Sequence, residues 1–128
     1  LVDLSGEVVA RGHQPLTDLD PEVVLPLMAS TAERLLGDRD VPMRSLLGIG
    51  VGLPAPLHGD KVSANLPEDL SAWEGVAVAE TLGKPFGCPV LLENNATAAA
   101  IGERWYGVGQ GVRDFFFVFF AYGVGGGV

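Results

Sequence analysis

Cysteine is nearly absent. Cys88 is the one thiol in 128 residues, which excludes an intrachain disulfide framework and a cysteine-rich zinc cluster within this stretch. It also suits a reducing compartment, so a cytoplasmic location is expected. Basic residues are scarce as well: 8 Lys and Arg stand against 16 Asp and Glu, for a net charge of −8. An acidic surface repels phosphate backbones, so no direct nucleic-acid contact is expected from these residues. No apolar run approaches the roughly 20 residues of a membrane-spanning helix. The most apolar stretch, residues 115 to 128, is broken by four glycines. The amino terminus lacks the basic region and apolar run of a signal peptide, and no membrane partner is expected. What is present is a globular composition, 48% hydrophobic and 19% charged, long enough for one domain with its own core.

Strands alternate with helices after an initial hairpin, which argues for a layered α/β domain. Residues 1 to 16 read as that hairpin, turning at Ser5-Gly6. Asp20-Pro21 opens a helix that Gly37 closes, with Val24, Leu27, Met28, Thr31, Leu35 and Leu36 at helical spacing. Residues 45 to 53 read as a strand covered on both faces, and residues 61 to 64 as a short one. A helix is expected over residues 76 to 82, a buried strand over 88 to 92 and an alanine-rich helix over 95 to 106. The last strand, residues 115 to 121, should be covered on both faces in the full protein, and it runs into a glycine loop.

Two glycine loops, GIGVGLP and AYGVGGGV, each follow an apolar strand. Glycine lets backbone N–H groups approach a ligand, although a tight turn alone also explains such loops. Neither carries the dinucleotide pattern or the Lys-Ser/Thr of a P-loop. Four glycines between residues 123 and 127 are more than a turn requires.

The segments VDLSG, GIGVGLPAPL, ANLPEDLSAWEGV, CPVLLENNATAAAIGE and FFFVFFAYGVGGGV, in this order, resemble the ROK family of repressors, open reading frames and sugar kinases. The resemblance implies an actin-like, ribonuclease-H-like ATPase lobe: a mixed sheet with an initial β-hairpin and flanking helices. Residues 1 to 128 would be a partial first lobe of a two-lobed protein that holds sugar in its cleft. A first phosphate loop, a later zinc site and, in the repressors, a helix-turn-helix domain would lie outside these residues. The family's members often form homo-oligomers, so an oligomer is expected.

The resemblance also implies roles for individual residues. Asn65, Asn94 and Asn95 would bind sugar, and Gly123, Gly125, Gly126 and Gly127 would approach nucleotide. Glu93 and Asn94 match the family pattern, whereas Asn95 stands where the kinases carry an aspartate base, and Thr97 replaces a second asparagine. A sugar hydroxyl loses its proton as it attacks a γ-phosphate. A carboxylate accepts that proton, but a carboxamide does not. No catalytic residue is therefore expected here, and no metal ligand. Tyr122 stands where the kinases have a small hydroxyl residue before the glycine.

The expected function is a sugar-effector-binding lobe of a ROK-type transcriptional regulator, reaching DNA only through the separate helix-turn-helix domain. The alternatives are a fragment of an ATP-dependent, glucokinase-like sugar kinase and a purely structural lobe. No cofactor is expected within the segment, with ATP and magnesium needed only by the kinase. Several plainer roles are expected. Asn94 would also serve as a helix cap, Trp73 would pack in the core, and Asp3 would close a turn. Glu103 would be an exposed acid or a structural hydrogen-bond partner, and His13 and His58 would lie at the surface.

Overall fold

A computed structural model describes residues 1–128 except Asn65 and Tyr122. Helix α1 (Pro21–Gly37) starts where its signals predict. The Asp20 carboxylate accepts the Glu22 N–H at 2.8 Å, and Pro21 fills the first helical position, where a missing N–H costs nothing. Strand β1 (Ile49–Leu53) follows, then the small hairpin of β2 (Leu57–His58) and β3 (Lys61–Val62). A 3-10 segment, Glu68–Trp73, leads to helix α2 (Val78–Phe86), which ends on Gly87 in the left-handed conformation, φ 62°. Strand β4 (Val90–Asn94) passes without a loop into helix α3 (Asn95–Tyr106). An antiparallel pair, β5 (Phe117–Phe120) and β6 (Val124–Gly127), closes the chain, with Phe119 opposite Gly125.

β1 and β4 run parallel, with Ile49 opposite Val90 and Leu53 opposite Asn94. The main core lies beside this pair. Val51 and Leu53 of β1 meet Val24 and Leu25 of α1, Val62, Trp73, and Val78 and Leu82 of α2. Each such aliphatic side chain contributes about 1.5–3 kcal/mol by leaving water. Trp73 is buried as expected, and its indole N–H donates to the Leu19 carbonyl at 2.6 Å, which ties the segment before α1 to the core.

A second packing layer joins α3 to β6. A Cβ placed on Gly125 would lie 2.6 Å from the Ala96 methyl, and one on Gly127 would lie 2.5 Å from the Ala100 methyl. Ala96 and Ala100 are both buried. Four helical residues rise about 6 Å and two strand residues about 6.6 Å, so the two pairs stay in step. Glycine is required here because strand backbone rests directly on helix methyls.

Several expectations are corrected. The hairpin over residues 1 to 16 shrinks to one bridge, Val2 to Val8, and residues 11 to 16 form no strand. Met43–Ser45 is a 3-10 turn, so the strand expected from residue 45 starts at Ile49. The second helix and fourth strand sit about two residues later than expected at their starts. Parallel and antiparallel pairing are both present, but among the described residues they occupy three separate two-stranded ladders. The glycine-rich segment does not remain a loop, since residues 124 to 127 pair with β5. Within these residues one face of β5 is covered. Phe117 and Phe119 are half-buried, while Phe116 and Phe120 remain 71% and 83% exposed, because α3 covers only one side of the hairpin.

Asp3 closes its turn as expected. Its Oδ1 accepts from the Ser5 N–H, the Ser5 hydroxyl and the Glu7 N–H. The Ser5 hydroxyl bond, followed by the backbone bond from Glu7, holds this carboxyl below the ordinary aspartate range. His13 and His58 are exposed.

Candidate functional site

The junction of β4 and α3 is built by one side chain. Asn94 is the last residue of β4, with extended backbone, and is also the N-cap of α3. Its Oδ1 accepts the Ala96 N–H at 2.9 Å and the Thr97 N–H at 3.3 Å. Its Nδ2 donates to the Ala55 carbonyl at 3.3 Å. The parallel register makes this possible: Leu53 lies opposite Asn94, so the chain leaving β1 passes the amide two residues later. The Glu93 carboxylate accepts the Asn94 N–H at 2.8 Å. Asn94 therefore joins strand, helix and neighbouring loop, with one amide hydrogen unspent among the described residues.

Asn95 differs. It occupies the first position of α3, is half-buried, and its side chain makes no hydrogen bond among the described residues. Its carboxamide offers an acceptor and two donors to whatever enters the adjoining space.

That space is a cavity of about 360 Å3 between the β4–α3 junction, the β5–β6 turn and the 3-10 segment. The volume falls within the roughly 300–1,000 Å3 of small-molecule sites. Its walls are mostly apolar, from Leu19, Pro54, Pro67, Leu70, Phe119 and Val124. The polar side chains among the described lining are Asn94, Asn95 and Asp69. Apolar walls with a few placed polar groups suit a hydroxylated ligand with carbon faces. The site lies at the carboxyl end of a parallel strand, where open α/β sheets place ligands.

The fold thus gathers four of the expected site residues, Asn94, Asn95, Gly123 and Gly125, around one cavity. Gly126 and Gly127 are not among its lining: Gly127 rests on Ala100, and a Cβ on Gly126 would meet the Phe117 carbonyl at 2.9 Å. Asn65 and Tyr122 lie outside the described residues. Sequence reasoning missed Asp69. It belongs to the ANLPED segment, where nothing in the sequence sets it apart from Glu68. Glu103 is a structural partner, accepting the Val108 N–H at 3.0 Å.

A larger groove of about 640 Å3 runs between α1 and β1, with Leu27, Met28, Thr31 and Leu35 on one wall and Gly50 and Gly52 on the other. No charged side chain lines it among the described residues, and the Trp73 N–H is already spent on Leu19. Its polar side chains are Gln14 and Thr31, and its walls are otherwise apolar.

The model of the ROK family matches residues 1–128. This chain belongs to the ROK family. It is 28% identical over 129 residues to a xylose repressor of Caldicellulosiruptor bescii, covering 100% of this chain and 32% of that protein. It is 26% identical over 125 residues to a glucokinase of Halalkalibacterium halodurans, covering 97% of this chain and 38% of that one. Among solved structures, the inorganic polyphosphate/ATP-glucomannokinase of an Arthrobacter strain superposes with a TM-score of 0.79 at 25% identity, over 98% of this chain and 50% of that chain. The fold is the actin-like one of the ROK sugar kinases. The chain spans about a third of the length of the curated relatives it matches. No helix among the described residues is long and apolar enough to cross a membrane.

Proposed function

We propose that this chain is a sugar-effector-binding lobe of a ROK-family transcriptional regulator and performs no phosphoryl transfer. The observation that carries the reading is Asn95, an amide without a described partner on the wall of a ligand-sized cavity. The family resemblance puts it where a kinase carries its base. A carboxamide there can hold a sugar hydroxyl in both hydrogen-bond senses but cannot take its proton. The site keeps recognition and gives up chemistry, which suits an effector site. Resemblance to a xylose repressor over the whole chain supports the same reading. DNA contact would belong to a separate domain, since these residues carry a net charge of −8.

The second reading is an ATP-dependent sugar kinase, favoured by the likeness to a glucokinase and to the glucomannokinase fold. Gly123 and Gly125 at the mouth of the cavity would then approach nucleotide.

Calorimetry with a panel of pentoses and hexoses tests the first reading. Asn95→Ala removes hydrogen bonds to the sugar without removing any described bond of the fold. It should weaken affinity by about 5- to 150-fold, for about 1–3 kcal/mol, with an unchanged melting temperature. If Asn95→Ala binds as tightly as the parent, the effector-site reading fails. Incubation with ATP, magnesium and the same sugars separates the alternative: turnover of roughly 1–100 s⁻¹ would establish a kinase.

A further inference from the structure

We infer that the Pro54-Ala55-Pro56 turn aims the Asn94 carboxamide, and that Pro56 is a positioning residue of the site. The inference rests on the sugar-effector reading above and adds to it a group that acts on a ligand only through Asn94.

The orientation of Asn94 is decided by its contacts on two sides. Its Oδ1 accepts the Ala96 and Thr97 N–H groups, and its Nδ2 donates to the Ala55 carbonyl at 3.3 Å. Turning the amide over would set donor against donor at the helix and acceptor against acceptor at Ala55. The helix bonds fix where the oxygen lies but leave the amide plane free to rock about it. The bond to Ala55 fixes the plane, and with it the direction of the second Nδ2 hydrogen, unspent among the described residues. With Oδ1 engaged twice, Asn94 presents a donor to the cavity it lines, whereas Asn95 presents both senses.

The Ala55 carbonyl is in turn held by its own turn. Proline fixes its own φ near about −65° and steers the residue before it away from helical backbone. Leu53 and Ala55 each precede a proline, so the torsions on both sides of the carbonyl are narrowed. Ala55 is buried. Beyond it the Pro56 carbonyl accepts the Ser63 N–H at 2.9 Å, which anchors the turn to the β2–β3 hairpin. Pro54 also lines the cavity, but Pro56 is exposed and is not among its described lining. Pro56 therefore reaches a ligand through the turn and Asn94. The backbone leaving β1 aims a side chain at the end of β4.

Pro56→Gly releases the turn without removing a side chain from the cavity. Hydrogen exchange of the Asn94 side-chain amide, followed by nitrogen-15 NMR, should quicken by about 3- to 10-fold, while the backbone amides of α3 keep the protection of the parent. Calorimetry with a panel sugar that binds the parent should show Pro56→Gly weaker by about 3- to 10-fold. That loss should disappear in an Asn94→Ser background, which keeps a capping oxygen but has no amide to aim. An equal loss in both backgrounds would mean general loosening and would overturn the inference while the sugar-effector reading stands. Unchanged exchange at Asn94 in Pro56→Gly overturns it as well, whether or not a sugar binds. If no sugar of the panel binds the parent, the effector reading fails, and Pro56 loses its role at a binding site even where exchange has quickened.

Discussion

Replacing Gly125 or Gly127 by alanine should destabilise the fold, although alanine is ordinarily the better residue. The expected size follows from the packing of β6 on α3. An added Cβ at Gly125 would sit 2.6 Å from the Ala96 methyl, and one at Gly127 would sit 2.5 Å from the Ala100 methyl. Ordinary contact begins near 3.4 Å, so strand and helix must part by about 0.8 Å at one site and 0.9 Å at the other. Overpacking of this kind costs about 1–3 kcal/mol. Lower entropy of the unfolded chain returns about 0.4–1 kcal/mol. The net loss is about 1–2 kcal/mol per substitution, a large share of a domain's stability of about 5–15 kcal/mol. In urea unfolding that loss lowers the midpoint by roughly 0.5–1 M at constant slope. The control is Gly102→Ala inside α3. A Cβ there meets nothing within 4 Å beyond its own helix, and helix propensity predicts a gain of about 1 kcal/mol. A double-mutant cycle of Gly125→Ala with Ala96→Gly isolates the contact, and a favourable coupling of about 0.5–3 kcal/mol is expected. If both strand glycines tolerate alanine with no loss of midpoint, or the cycle shows no coupling, close packing is not why the glycines are there.

Asn94→Ala should cost about 1–3 kcal/mol in the same assay, because it removes the cap of α3 and the tie to the Ala55 carbonyl; a loss no larger than that of Asn95→Ala would contradict the division of roles between the two amides. Trp73→Phe removes the indole N–H that holds the Leu19 carbonyl at 2.6 Å and leaves part of the buried ring's space empty, so a loss of at least about 1–2 kcal/mol is expected, and an unchanged melting curve would speak against that tie. The Asp3 carboxyl is held low by the Ser5 hydroxyl. Its contribution should be fully present above the ordinary aspartate range and lost as pH falls through the depressed folded-state value. A carbon-13 titration of Asp3 with a midpoint at or above the ordinary value would refute it. The outer face of the β5–β6 hairpin exposes Phe116, Val118 and Phe120, so the isolated chain should elute from size exclusion in a concentration-dependent way. Phe120→Lys should shift it toward monomer, and a sharp monomer peak from the parent at all concentrations would count against the reading.

The parts legible in the sequence were those whose cause is local. Helix α3 was read to the residue, Asn95 to Tyr106, because a capping amide followed by alanines needs no distant partner to form a helix. The start of α1 was equally clear, since Asp20-Pro21 carries its own cap and first turn. β6 was missed because four glycines in five residues normally mean a loop, and they become a strand only when an alanine face stands opposite. The alanines of that face had been read as helix formers, yet Ala96 and Ala100 are spaced to receive Gly125 and Gly127. Two segments that each look unremarkable thus explain one another.

The candidate site follows the same logic. The pair Asn94-Asn95 was visible as a polar cluster, but residue types alone could not say which amide caps and which faces a ligand. The β1–β4 register decides it. Leu53 opposite Asn94 carries the Ala55 carbonyl to 3.3 Å from the Asn94 Nδ2, and the cap claims the Oδ1 of the same side chain. Only Asn95 then retains a whole amide toward the cavity. Asp69 was hidden for a related reason: 25 residues separate it from Asn94 in the chain, and nothing in ANLPED marks that acid apart from Glu68 beside it. Its place on the cavity wall depends on the 3-10 segment that runs into Trp73, which is itself fixed by the indole bond to Leu19. A core contact therefore helps to hold the segment that forms this part of the cavity wall.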